Sequence, residues 1–163
     1  VLIPEAYVYH KRRVDLRRFF KQVHNSGIAR IHLETRHPGS TRLVHCLPAL
    51  FTVLSALVII AWVGTKLFLR IGFPYALYPS ALLTLVYIIA ILSSVGVALL
   101  ALLALLFFID AYQKTKDTEV ALWAVPACFI QLWGYGSGFV RAWWGKHILR
   151  RREFTAFRNN FYD

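Results

Sequence analysis

Acidic residues are scarce in this chain: eight Asp and Glu stand against nineteen Lys and Arg, for a net charge of +11. The eight are scattered, so local sequence supplies no close carboxylate pair for acid–base work or for holding a metal. Methionine is absent altogether, position 1 included. The chain therefore reads as a piece of a longer polypeptide, with further sequence expected upstream. Cysteine is limited to Cys46 and Cys128, which form neither a disulfide framework nor a metal-binding spacing and read as small apolar residues. A signal-peptide pattern of basic, apolar and small-residue regions is not visible at the N-terminus. Charge of either sign is missing from Ile71 to Ile109. The core of that run, Tyr75 to Ile109, would make a helix of about 50 Å, against a hydrocarbon thickness of about 30 Å.

What is present points to a membrane. The composition is 58% hydrophobic and the mean hydropathy is +0.51, so one membrane-embedded unit is expected rather than a soluble domain with its own core. Net charge is +6 over residues 1–46, +1 over 47–140 and +4 over 141–163. Both basic blocks flank the apolar centre, where Lys and Arg attract anionic headgroups and mark the cytoplasmic face. That placement favours the lipid bilayer as partner over nucleic acid.

The expected architecture is mainly α: a polytopic helical membrane bundle preceded by a short strand and an amphipathic interface helix. Residues 1–46 form the end of a preceding domain, 47–140 the transmembrane helices and 141–163 a basic C-terminal tail. Alternation from Ala6 to His10 predicts a strand within Val1 to His10. From Val14 to Leu33, Leu16, Phe20, Val23 and Ile31 recur at helical spacing beside Arg17, Arg18 and Lys21. This predicts an amphipathic helix in the headgroup plane, broken near Asn25-Ser26-Gly27. A surface helix of a soluble domain is the alternative.

A first span is expected over about Leu47 to Leu69, with Lys66 and Arg70 snorkelling at its far end and Trp62, Phe73, Tyr75 and Tyr78 as an aromatic belt. The charge-free run follows, then a polar loop from Asp110 to Glu119 and a last apolar segment over about Val120 to Val140. Four passes, with a hairpin near Ser93 to Gly96, would place both basic blocks in the cytoplasm. Three passes, with one long tilted helix, are the alternative.

Two stretches carry more than composition. The first is Val8-Tyr9-His10-Lys11-Arg12-Arg13, followed by Phe19, Phe20, Lys21-Gln22, Asn25, Gly27 and Arg30. The second is Phe129-Ile130-Gln131-Leu132-Trp133-Gly134-Tyr135-Gly136-Ser137-Gly138-Phe139. Together they resemble the C-terminal membrane region of bacterial family 2 glycosyltransferases. In those enzymes a V-x-H-x-x-R strand, an interface helix with [RK]-Q-x-x-x-x-G and a last membrane segment with G-Y-G-x-G-F occur in this order.

The resemblance implies a GT-A enzyme of the bacterial cytoplasmic membrane that moves a sugar from a nucleotide-sugar donor to a lipid-linked or membrane-associated acceptor, for cell-envelope or exopolysaccharide synthesis. It implies a divalent metal, Mg or Mn, in a catalytic domain upstream. No D-x-D and no Glu-Asp type base motif lies in this sequence, so this portion alone is expected to be inactive and to hold no cofactor. Processive relatives carry Q-x-x-R-W on the interface helix. Here the register reads Gln22-Val23-His24-Asn25-Ser26, which argues against a processive polymerase.

On that resemblance Gln22, His10 and Arg13 are candidates for hydrogen bonds near the acceptor or donor phosphates, local polar pairing being the alternative. Arg12, Arg17, Arg18 and Lys21 suit anionic lipid heads or a lipid diphosphate. Gly134, Gly136 and Gly138 follow an apolar segment rather than a strand, so they predict close helix packing, with Gln131 bonding across the bundle. His24, His32, His37 and His45 lack the i, i+4 spacing of a helical zinc site, and no metal is expected there. The second class of function left open is a small non-enzymatic integral membrane protein, a transporter or assembly subunit oriented by its basic ends.

Overall fold

A computed structural model describes residues 15–71 and 79–150. Among the described residues every regular element is an α-helix: α1 (Leu16–Arg36), α2 (Leu43–Arg70), α3 (Ser80–Thr115) and α4 (Thr118–His147). The strand expected within Val1 to His10 lies outside the described residues, as do Phe73, Tyr75 and Tyr78 of the expected aromatic belt.

Helix α1 begins where Asp15, in extended backbone, accepts a 2.8 Å hydrogen bond from the Arg17 amide, a standard N-cap. The expected break at Asn25-Ser26-Gly27 does not occur. Ser26 donates its hydroxyl to the Gln22 carbonyl at 3.1 Å, which keeps this polar side chain within the helix. Val23, Gly27, Ile28 and Ile31 are buried at helical spacing. The turn to α2 is drawn together by Glu34, whose carboxylate accepts from the Gly39 amide, the Ser40 hydroxyl and the Thr41 amide at 2.7, 3.1 and 2.6 Å. Gly39 sits there at φ +83°, a backbone angle that favours glycine.

Helices α2 and α3 are the two among the described residues that are long and apolar enough to cross a membrane. The 36 residues of α3 give about 54 Å of uninterrupted helix. This overturns the expected hairpin near Ser93 to Gly96. Ser93 and Ser94 both donate to the Ala90 carbonyl, at 3.2 and 2.7 Å, so their hydroxyls are satisfied without opening the helix. Gly96 packs beneath Val58 of α2, whose methyls a Cβ there would meet at 2.7 and 2.9 Å. The small residues mark a helix crossing rather than a turn.

The polar loop expected from Asp110 to Glu119 shrinks to two residues. Asp110 and Lys114 pair at 2.8 Å across one helical turn, a spacing that supports helix instead of ending it. Lys116 then adopts the left-handed conformation (φ 57°), and Asp117 caps α4 by accepting from the Glu119 and Val120 amides.

Helices α2, α3 and α4 each meet the other two. Val58 of α2 lies over Gly96 of α3; Phe107 of α3 meets Phe129 of α4 edge-on at 5.7 Å; and Thr52 of α2 donates to the Leu132 carbonyl of α4 at 3.3 Å. The core is small: Ile28, Ile31, Ala49, Phe139 and Ala142, where α1, α2 and α4 converge. Large apolar side chains stay outside it along α2 and α3, among them Leu57, Ile60, Leu67, Ile91, Leu92 and Leu99. In water such continuous apolar faces are unfavourable; against lipid they need no protein partner.

Candidate functional site

Helix α1 runs alongside the C-terminal half of α4 in the same direction. Partner numbers rise together, from Val23 against Gly134, through His24 against Ser137, to Thr35 against Lys146. The apolar face of this expected amphipathic helix is covered by α4.

Glycine makes the approach possible. A Cβ at Gly27 would collide with the backbone of Tyr135 and Phe139, and one at Gly138 with the His24 carbonyl. At Gly136 it would strike Thr52 and the Pro48 carbonyl of α2, whereas at Gly134 it would only touch the Val23 side chain at 3.4 Å. Thus Gly138 faces α1 and Gly136 faces α2. The two spacings of the glycine run serve two different neighbours.

Polar bonds hold this seam at both ends. His24 Nδ1 and Ser137 Oγ are 3.0 Å apart, and Ser137 donates its own proton to the Gly134 carbonyl at 3.0 Å. With the hydroxyl proton so used, the imidazole must donate from Nδ1. Burial, and second the positive charge of Arg141, holds the His24 pKa below its ordinary 6.5, opposed by the Gly134 carbonyl. His32 is lowered too, by burial and then by Arg36 and Lys146. At the far end Lys146 donates to the Thr35 hydroxyl at 2.9 Å, and Thr35 donates to the Ile31 carbonyl.

Arg17, Arg18, Lys21 and Gln22 all lie on exposed positions of α1 and are not drawn into the seam. His10, Arg12 and Arg13 lie outside the described residues. Gln131 is exposed on α4, which corrects its expected role across the bundle. Polar ties across the bundle come instead from the Trp133 indole donating to Ser55 at 2.9 Å, from Thr52 to the Leu132 carbonyl and from His24 to Ser137. A periodicity search for apolar stripes passes over such residues, although Pro48, Thr52 and Ser55 do recur at helical spacing.

Among the described residues no group of three or more His, Cys, Asp or Glu side chains converges on a point that could hold a metal ion. Cys46 and Cys128 are free thiols, each half-buried. What the arrangement offers is a rigid, glycine-packed seam with a cationic exposed face, set beside two membrane-length helices. No known protein family, no curated protein and no solved structure matches the chain.

Proposed function

We propose that this chain is the membrane-anchoring C-terminal portion of a family 2 glycosyltransferase, holding an upstream catalytic domain against the cytoplasmic face of the bacterial inner membrane. One observation carries the reading. The described part of the first stretch and the second stretch lie about a hundred residues apart in sequence, yet they pack on each other: motif residue Gly27 against Tyr135 and Phe139, and Gly138 against the neighbouring His24.

The proposed topology has two crossings, α2 and α3. Lys146 bonds Thr35, and Cys46 and Ala49 pack with Ile31 and Ala142, so the end of α4 lies beside the start of α2. A third crossing by α4 would separate those two ends by a bilayer. Two crossings keep both basic blocks on one side, in accord with the positive-inside tendency. Helix α4 then runs from the foot of α3 to the foot of α2, with α1 bound along it. In this arrangement the nucleotide sugar and its metal belong to the upstream domain, and a membrane-associated acceptor reaches the cleft at the level of α1.

The test is the reading frame upstream of Val1, together with nucleotide-sugar turnover by membranes carrying the full polypeptide. A D-x-D within the preceding couple of hundred residues and metal-dependent turnover support the proposal. A start codon just upstream and no turnover would overturn it in favour of a non-enzymatic membrane protein.

A further inference from the structure

A cavity of about 510 Å³ opens between α2 and α4, within the ~300–1,000 Å³ typical of small-molecule sites. Val53, Ala56 and Leu57 line it from α2, and Val140, Trp144 and Gly145 from α4. Two hydroxyls also reach it, from Thr52 and Ser137. Both are already spent on backbone carbonyls: Thr52 shares its proton between Pro48 and Leu132, and Ser137 gives its own to Gly134. The lining therefore offers hydrocarbon and one charge, that of Arg141.

Arg141 is exposed and has no carboxylate partner among the described residues. Their acids are placed elsewhere: Asp15 and Asp117 cap helices, Glu34 closes the turn before α2, Asp110 pairs with Lys114, and Glu119 stands in the first turn of α4. A soluble anion would gain nothing from the apolar trough beside this cation. A soluble apolar molecule would leave the cation unused. Both features are used at once by an amphiphile with a hydrocarbon chain and an anionic head, and the exposed Trp144 in the lining suits the bilayer interface.

We infer that this groove holds one chain of an anionic bilayer phospholipid, its phosphate against Arg141. The inference rests on the membrane reading above and adds to it a specific, stoichiometric lipid. Helices α2 and α4 touch directly through Ser55 with Trp133, Thr52 with Leu132 and Gly136, and Ala49 with Ala142; the lipid chain fills the space that these contacts leave beside Val53, Ala56 and Leu57.

The test is native mass spectrometry of the full polypeptide, extracted in detergent and exposed to equimolar phosphatidylglycerol and phosphatidylcholine. One phosphatidylglycerol per chain should survive activation that strips phosphatidylcholine. Arg141→Gln should weaken that retention about five-fold, the worth of one cation near an anionic headgroup, and Arg141→Lys should restore most of it. Ala56→Trp should block the groove, with Val53→Trp as a second block should the first variant lose its helical circular dichroism. Equal retention of the two lipids, displacement by inorganic phosphate, or preferential uptake of a polyprenyl phosphate would each overturn the assignment. Failure of the membrane reading looks different: the polypeptide would stay in solution without detergent. A membrane-bound chain stripped clean of phosphatidylglycerol rejects the groove assignment alone.

Discussion

At Glu34 one carboxylate gathers two amides and a hydroxyl from the six residues that link α1 to α2, and its pKa is held down at about 2. The lowered value fixes the sign of its pH dependence. The contribution is present above the unfolded value near 4.5 and is lost as pH falls toward 2. Glu34→Gln should lower the melting temperature in detergent at pH 7, and the gap from wild type should close as the pH is taken below 4, as followed by circular dichroism. His24 and His32 act over a higher window. Both are held below 6.5, so folding loses stability as pH drops below 6.5 and the unfolded chain takes up protons first. His24→Asn should flatten part of the fall in melting temperature between pH 7 and 5, leaving the part due to His32. Little of this was legible in the sequence. Glu34 is one acid among scattered acids, and the donors it collects are backbone amides, which every sequence has.

Helix boundaries show where composition misleads. The charge-free run was legible as membrane-length helix, but its small residues were ambiguous between a turn and a crossing. The unbroken backbone of α3 and the position of Val58 over Gly96 decide for the crossing. Cysteines placed at Ser80 and Thr115, with Cys46 and Cys128 replaced by Ala, should label from opposite sides of the membrane with an impermeant maleimide. A hairpin would bring both to the same side. Glycines separate in the same manner. Gly27→Ala forces a methyl group onto the Tyr135 and Phe139 backbone and should cost about 1–3 kcal/mol, read as faster proteolysis of α1. At Gly64 of α2 an added methyl group would meet open space, with no atom within 4 Å, so Gly64→Ala should leave the melting temperature unchanged or raised. Both glycines look alike in sequence. The difference is tertiary, set by which face a second helix occupies.

The whole molecule divides into a part that leaves apolar faces for an outside cover and a part that finishes itself. Apolar faces of α2 and α3 remain exposed while the α1–α4 seam buries its own. The protein should therefore stay with the membrane pellet through alkaline carbonate, and disruption of the seam by Gly138→Leu should not release it. Release by that variant would mean that the seam, not α2 and α3, supplies the anchor. The helical class, the membrane-length segments and the basic flanks were readable from the chain, because composition and charge are summed over many residues. The count of crossings was not, because it depends on which ends meet, and the Thr35–Lys146 bond joins residues 111 apart.

That pairing of the first described helix with the last has a consequence for synthesis. Helix α1 leaves the ribosome with its apolar face uncovered, and the α4 residues that cover it follow roughly a hundred positions later. At ~5–20 residues per second the wait is roughly 5 to 20 s. During that interval the apolar face of the basic, amphipathic α1 lacks its final cover, and on the proposed membrane reading the bilayer surface would hold it until the last helix takes that place.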